Sequence, residues 1–140
     1  MKPRPETPRE IAEVLRSVKR IALVGASDKP VRASFIVMKY MLGKGYDVIP
    51  VNPGLAGGEI LGQSVYARLK DIPGTVDMVD IFRNAEAAGP ITDEAIEIGA
   101  KVVWMQLGVV NSEAAARAES VRPAPGAVSA RRSAFHAAWW

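Results

Sequence analysis

Arg20-Ile-Ala-Leu-Val-Gly25-Ala-Ser-Asp-Lys-Pro-Val-Arg-Ala-Ser34 is the stretch that decides the fold. Residues 20–24 form a short, mainly apolar run that ends at a glycine, which is typical of a buried parallel strand. A polar turn follows, and residues 34–42 are then apolar almost all round, as in a helix that packs on a sheet. The stretch therefore predicts a strand, a small-residue turn and a helix, the first unit of an α/β fold.

The same alternation continues along the chain. A capping box with proline at the first helical position begins at Thr7 and predicts a short amphipathic helix over residues 8–18. Further strands are predicted at residues 47–51, 65–66, 76–82 and 101–107, and further helices at residues 90–98 and 112–119. Pro50 weakens the prediction for the second strand, because a central strand loses a ladder donor at proline. Since strands and helices alternate over short connections, we predict a Rossmann-like, doubly wound, mainly parallel sheet.

Composition excludes several classes of protein. The chain has 140 residues, 49% of them apolar and 24% charged, which fits one folded domain. Its net charge of +3 (18 − 15) comes from the C-terminal part, because the 14 Lys/Arg and 14 Asp/Glu of residues 1–116 balance. We therefore expect no nucleic-acid partner. No apolar run approaches the ~18 residues that cross a bilayer, so we expect a cytoplasmic protein with no membrane partner.

The supply of reactive side chains is small. There is no cysteine, and the one histidine, His136, lies near the end of the chain. This composition excludes disulfides, thiolate catalysis, cysteine-ligated metals and multi-histidine metal sites. Asp77 and Asp80 point to opposite faces of their strand, so they form no carboxylate pair, and we expect Asp80 to accept hydrogen bonds from a loop. The sequence favours a binding module over an enzyme, with no catalytic residue and no metal site.

Ligands of parallel sheets bind beyond the carboxyl ends of the strands, so the candidate site comprises residues 25–34, 52–54, 82–84 and 106–109. The first of these segments feeds a helix N-terminus, where small residues and free backbone N–H groups favour an anion. The alternative is an ordinary strand-to-helix turn with solvated charges. The candidate phosphate-binding residues of this loop are Gly25, Ala26, Ser27, Lys29, Arg32 and Ser34.

The choice of phosphate ligand is narrowed by three positions. The dinucleotide fingerprint G-x-G-x-x-G needs glycine where this chain has Ser27 and Pro30. An NAD site also favours an acidic residue at the end of the second strand, and this chain has Asn52 there. These differences argue against NAD, and the chain contains no Walker loop.

Five motifs in this order resemble the small stand-alone CoA-binding proteins, which are similar to the N-terminal CoA-binding domain of the succinyl-CoA synthetase alpha subunit. The resemblance covers roughly residues 8–119. The motifs are Val24-Gly-Ala-Ser27 with Pro30 and Arg32, Val48-Ile-Pro-Val-Asn-Pro53, Ile60-Leu-Gly62, Val76-Asp-x-Val-Asp-Ile-Phe-Arg83 and Val103-Trp-x-Gln-Leu-Gly-Val-Val-Asn111.

The resemblance implies a ligand, CoA or acyl-CoA, and a place for each of its parts. The pyrophosphate would lie on the first loop, held by Gly25, Ala26, Ser27, Arg32 and Ser34. CoA also carries a 3′-phosphate, and from their charge Lys29 and Arg83 could meet it. The residues that would border the adenosine are Asn52, Pro53, Phe82 and Arg83, and those near the pantetheine are Gln106, Leu107 and Gly108. From the residues alone, Arg83 is equally an ordinary surface arginine, and Gln106 a strand-end amide that satisfies loop backbone.

Three functions stay open at this point. The first is a CoA-binding module without its own catalytic chemistry. The second is an NAD(P)-dependent, oxidoreductase-like nucleotide-binding protein, and the third is an interaction protein that has kept the fold without a ligand. Whether the protein has a protein partner or forms a homodimer is not decided by the sequence.

The last residues depart from the family pattern, which usually continues with a valine-rich strand. Residues 120–140 contain Pro123, Pro125 and Gly126 and show neither strand alternation nor sustained helical spacing. We therefore predict that the CoA-binding domain spans residues 1–119. Residues 120–140 are predicted to be an atypical, poorly ordered tail that does not supply the last edge strand.

Overall fold

The structure is a computed structural model that describes residue 13, residues 15–105 and residues 131–132. Residues 13 and 15–17 are helical, within the helix predicted for residues 8–18. In chain order the further elements are β1 (Arg20–Val24), α1 (Ala33–Gly43), β2 (Asp47–Val51), β3 (Glu59–Ile60), β4 (Gln63–Ser64), a 3₁₀ turn (Leu69–Asp71), β5 (Met78–Ile81), α2 (Ala85–Glu97), β6 (Val102–Met105) and β7 (Arg131–Arg132).

The main sheet has the strand order β2-β1-β5-β6-β7, and each neighbouring pair is parallel. The chain crosses from β1 to β2 through α1 and from β5 to β6 through α2. The direction of winding therefore reverses between β1 and β5, and a crevice opens at the carboxyl ends of these two strands. The prediction of a Rossmann-like α/β fold is confirmed.

The two helices cover opposite faces of the sheet, so residues of each strand alternate between two cores. In β1, Ile21 and Leu23 pack with the α1 residues Val37, Met38 and Met41. The intervening strand residues pack on the other face with α2. Every residue of β5 and β6 is buried, which explains why both strands are apolar except at Asp80.

Two residues singled out in the sequence lie inside this core. Trp104 is fully buried, as expected of an aromatic residue in a central strand. Asp80 is also fully buried, and it lies in register between Leu23 and Trp104. Asp80 is therefore enclosed within the sheet.

Pro50 is tolerated because β2 is an edge strand. The odd-numbered residues of β2 direct their backbone toward β1, as the bond from Asp47 N–H to Lys19 O (3.0 Å) shows. Pro50 therefore faces outward, where no ladder donor is lost to β1. Its carbonyl accepts from Tyr66 N–H at 3.1 Å, within a parallel bridge between Val51 and Tyr66. This bridge is what the structure has in place of the predicted strand at residues 65–66.

The start of α2 was predicted wrongly. The sequence interpretation placed it at Pro90, but the helix begins at Ala85 and contains Pro90. Its N-cap is Asn84, whose Oδ1 accepts from Ala87 N–H at 2.8 Å. The cap satisfies an amide of the first turn, and this outweighs the preference of proline for the first helical position.

The prediction that the tail supplies no edge strand is wrong at two residues. Arg131 and Arg132 form β7, in parallel register with Trp104 and Met105. Backbone groups alone make a ladder, so a short strand at a sheet edge forms without the apolar alternation that was sought in the sequence. The predicted helix at residues 112–119 and the order of the remaining tail lie outside the described residues.

Asp77 fixes the amino ends of β1 and β5, at the end of the sheet opposite the crevice. Its Oδ2 accepts from Lys19 N–H (2.9 Å) and Arg20 N–H (3.0 Å). Burial by itself would raise the pKa of this carboxyl, yet the two backbone donors and the nearby Lys101 and Arg20 cations hold the pKa below its ordinary value. Asp77 therefore joins β5 to β1 as a structural group and takes no part in the crevice.

We predict that Asp77→Asn lowers the free energy of unfolding at pH 7 by about 1 kcal/mol, because the charge-assisted bonds are weakened. The folded-state pKa is lowered, so this stabilisation is present above the unfolded-state pKa of about 3.9 and is lost as the pH falls through the folded-state value. Urea unfolding at several pH values measures it. Asp47→Asn, which removes an exposed ion pair with Arg20, is the control and should cost less. An Asp77→Asn deficit that is the same at pH 7 and below pH 3 would contradict this account.

Candidate functional site

Two clefts open at the carboxyl edge of the sheet and share a rim. The loop cleft, of about 520 Å³, lies among residues 25–34, the loop after β2 and the end of β5. The α2 cleft, of about 330 Å³, lies between the loops after β2 and β4 and the first turns of α2. Gly25, Asn52 and Arg83 line both clefts, so a single extended ligand can occupy the two together.

Gly25 brings the first loop against β5. Its φ of +90° lies in the left-handed region, and a Cβ at this residue would lie 2.5 Å from the Phe82 carbonyl oxygen. Its N–H donates to Val51 O at 3.0 Å, so the same residue also joins the loop to β2. Only glycine satisfies both the backbone conformation and the close approach.

The rest of the first loop presents donors to the loop cleft. Lys29 N–H donates to Ser27 Oγ at 3.1 Å, so the Ser27 oxygen is held within the loop while its proton can turn toward an acceptor. The N-cap of α1 is Arg32, whose side chain makes no capping bond, and no acidic residue lies in the first turn. The amide groups at the start of α1 therefore favour an anion, and Ala33 and Ser34 line the cleft beside them.

Asn52 ties the loop after β2 to the loop after β1. Its Nδ2 donates to Ala26 O at 2.8 Å, and its Oδ1 accepts from Gly54 N–H at 2.8 Å. Sequence reasoning placed Asn52 at the ligand and missed this structural role. The signal was present, since asparagine followed by Pro53 and glycine is typical of a turn in which the amide accepts from the backbone two residues on.

Positive charge predominates around the clefts. Lys29, Arg32 and Arg83 line the loop cleft together with one acidic residue, Asp28. The stem of Arg83 lies against Gly25, since its Cδ is 3.1 Å from the position that a Cβ of Gly25 would take. The pair of clefts therefore has the charge for a ligand with more than one phosphate group.

The α2 cleft has a different chemical character. Its walls are mainly apolar, with Leu69, Pro90 and Ile91 among them, and Arg68 lies at the same cleft. Glu94 also lines it, but Glu94 Oε1 already accepts from Leu69 N–H at 2.9 Å. The α2 cleft is therefore the more apolar of the two clefts.

The structure brings together the sequence-predicted residues that it describes. Gly25, Ala26, Ser27, Lys29, Arg32, Ser34, Asn52, Phe82 and Arg83 line the loop cleft, and Pro53 lines the α2 cleft. Gln106, Leu107 and Gly108 lie outside the described residues. Sequence reasoning missed Arg68, Ala87, Pro90 and Ile91. The last three follow from the true start of α2, whereas no motif or spacing indicated Arg68.

Two kinds of feature, a metal-binding cluster and a membrane-spanning helix, are absent from the described residues. No group of three or more histidine, cysteine or acidic side chains in this part of the chain is arranged to hold a metal ion. Among the helices of the same residues, none combines the length and the apolar character that crossing a membrane requires.

Comparison with known proteins agrees with this geometry. A family model described as a CoA binding domain matches residues 19–128. The chain belongs to the CoA-binding domain family. It is 46% identical over 105 residues to the uncharacterized protein YneT of Bacillus subtilis, which covers 75% of this chain and 76% of that protein.

Other members of the family are found among larger proteins and solved structures. The chain is 36% identical over 97 residues to the alpha subunit of the ADP-forming acetate–CoA ligase I of Pyrococcus furiosus, covering 65% of this chain but 21% of the subunit. It thus spans about a fifth of that relative. A solved hypothetical protein from Pyrococcus horikoshii is 41% identical, with a TM-score of 0.81, and the match covers 95% of this chain and 92% of the other.

We predict that Gly25→Ala lowers the free energy of unfolding by at least about 2 kcal/mol, because the new Cβ meets the Phe82 carbonyl and the left-handed conformation is strained. Gly45→Ala is the matched control. Gly45 has a φ of +94°, but nothing lies within 4 Å of the position that an added Cβ would take. The Gly45→Ala variant should therefore lose only the ~1 kcal/mol of unfolding free energy that backbone strain costs. Equal losses in chemical denaturation would show that the close approach to Phe82 is not a constraint.

Proposed function

We propose that this protein is a CoA- or acyl-CoA-binding module without catalytic chemistry of its own. The observation that carries the proposal is the pair of clefts with a shared rim: one has the donors and cations for phosphate, and the other has apolar walls. Membership of the CoA-binding domain family supports the same ligand.

The pyrophosphate of CoA fits the loop cleft. The uncapped start of α1 and the Ser27 hydroxyl offer hydrogen-bond donors, and Lys29 and Arg32 offer charge. Gly25 has no side chain to obstruct the approach of phosphate oxygens to the backbone. Because these groups are held by the fold before a ligand arrives, little ordering is needed on binding.

The adenosine fits the α2 cleft, between Pro53 on the loop after β2 and Ile91 on α2. Arg83 lines both clefts, and Arg68 lines the α2 cleft alone. An arginine at this place suits the 3′-phosphate of CoA, which a guanidinium binds through two parallel hydrogen bonds. The family resemblance implies that the pantetheine would meet Gln106, Leu107 and Gly108, which lie outside the described residues.

NAD fits less well. Ser27 and Pro30 stand at two glycine positions of the dinucleotide fingerprint. Asn52 stands where an acidic residue would bind the ribose hydroxyls, and both its amide groups already bond to the backbone. The proposal of binding without catalysis rests on composition, since the chain has no cysteine and one histidine.

The proposal is tested with a series of nucleotides. CoA at ~100 Kd should add about 2.7 kcal/mol to the stability of the folded state, a clear rise in Tm, and NAD, NADP and FAD at the same concentration should add less. A rise with NAD that equals or exceeds the rise with CoA would reject CoA as the ligand. Turnover of acetyl-CoA by the purified protein would reject the absence of catalysis.

A charge placed in the loop cleft gives a second test. Ser27→Asp should weaken CoA binding at least about tenfold, because a carboxylate would then occupy the place of a phosphate. Ser27→Asn is the matched control, since both replacements can accept from Lys29 N–H and so keep the turn. Calorimetry should find Ser27→Asn within about threefold of the parent protein. Equal affinities for the two variants would place the phosphates elsewhere.

A further inference from the structure

The outward face of α1 combines two large apolar side chains with positively charged ones. Arg32, Ile36, Lys39, Tyr40 and Gly43 follow one another at helical spacing and are all exposed, and we call this set the α1 stripe. Ile36 is 48% exposed and Tyr40 is 36% exposed. Because Ile36 and Tyr40 are one helical turn apart, their exposed parts form a single apolar patch on this face of the helix.

The α1 stripe is also surrounded by positive charge. No acidic residue occurs between Asp28 and Asp47, whereas Lys29, Arg32, Lys39 and Lys44 lie in this interval. Within the described part of the chain, the salt bridges engage Arg20, Arg68, Lys70 and Lys101 and none of these four cations. The Lys44 ammonium lies 5.5 Å from the centre of the Tyr40 ring, so the charge extends over the apolar part. The stripe is therefore complementary to an acidic surface.

The α1 stripe begins at the loop cleft. Arg32 belongs to both, and Lys29, Ala33 and Ser34 line the cleft at the same end of the helix. A molecule that lies along the stripe consequently extends to the opening at which a phosphate would bind. Whatever covers Tyr40 and Lys39 is in position to place a group of its own in the loop cleft.

We propose that the α1 stripe docks an acidic carrier protein whose phosphopantetheine arm enters the loop cleft in place of CoA. This inference rests on the proposed function, because the arm has the pantetheine and one phosphate of CoA and lacks the adenosine half with the other two phosphates. The carrier compensates for that missing half with acidic residues on Lys39 and Lys44 and with apolar contacts to Ile36 and Tyr40. The apolar α2 cleft stays empty in such a complex.

A carrier protein explains the stripe better than a membrane does. An interfacial helix immerses a continuous apolar face, whereas the α1 stripe offers two large apolar side chains, Ile36 and Tyr40. Its two outward apolar residues stand between cations, an arrangement that matches the mixed centre of a protein interface.

The test measures binding of a purified acyl carrier protein, in its holo form with the arm and its apo form without it, by fluorescence anisotropy. We expect the holo form to bind at about 0.03 M salt, more weakly at about 0.3 M salt, and more tightly than the apo form. Lys39→Glu/Lys44→Glu should weaken holo-carrier binding at least about tenfold. Lys70→Glu/Lys101→Glu, with the same change in net charge away from the stripe, should change it less than about twofold.

Calorimetry with free CoA separates this proposal from the proposed function. Lys39 and Lys44 do not line either cleft, so the Lys39→Glu/Lys44→Glu variant should bind CoA as the parent protein does. Two outcomes would overturn the docking proposal alone. In the first, the protein binds CoA but not the holo carrier; in the second, it binds the carrier with an affinity that changes neither with removal of the arm nor with the Lys39→Glu/Lys44→Glu substitutions. Binding of the stripe to vesicles rich in anionic lipid, with none to the carrier, would assign it to a membrane and overturn the proposal. Failure of the parent protein to bind CoA would overturn the proposed function itself.

Discussion

At Gly25 the backbone of the first loop passes the end of β5 with no room for a side chain, since a Cβ would lie 2.5 Å from the Phe82 carbonyl oxygen. This contact lies beyond the paired carboxyl ends of β1 and β5, where the sheet reverses its winding. It also sets the stem of Arg83 across the glycine, so that one arginine reaches two clefts. The crevice exists as a continuous site because this one contact is possible.

The residues around the crevice hold the fold and shape the site through the same atoms. Asn52 joins two loops by its side-chain amide, and Ser27 orders its own turn through its oxygen. The opposite edge of the sheet has its own fixed point at Asp77. Because the strands are held at both their amino and carboxyl ends, the loops at the crevice keep a fixed shape. A multiply charged ligand could then bind without first ordering these loops.

Sequence reasoning succeeded where a local pattern and the tertiary structure agree. The apolar run of β1 and the helix after it were predictable, because burial on both sides of a sheet requires such runs. The residues of the first loop were predictable for the same reason, since the loop is set by the strand and helix that flank it. The prediction that Asp77 and Asp80 form no carboxylate pair agrees with their places, since Asp77 bonds to Lys19 and Arg20 and Asp80 is buried in the sheet.

The remaining features depend on distant parts of the chain. Arg68 reaches the α2 cleft only because the long connection after β2 folds back over the sheet, and no spacing records that path. β7 joins the sheet through backbone atoms, so its two arginines gave no sign of a strand. α2 begins at Ala85 because Asn84 caps it. The sequence prediction overlooked this cap because it took Pro90 as the first helical residue.

The uncapped start of α1 has a consequence for kinetics. Two helices follow the strands β1 and β5, so both begin at the crevice, but only α2 has its first turn satisfied by a side chain. The partial charge of α1 thus projects into solvent at the mouth of the loop cleft, together with Lys29 and Arg32. A field of this kind acts on an anion before contact, so it raises the rate of diffusional encounter more than it lengthens the life of the complex.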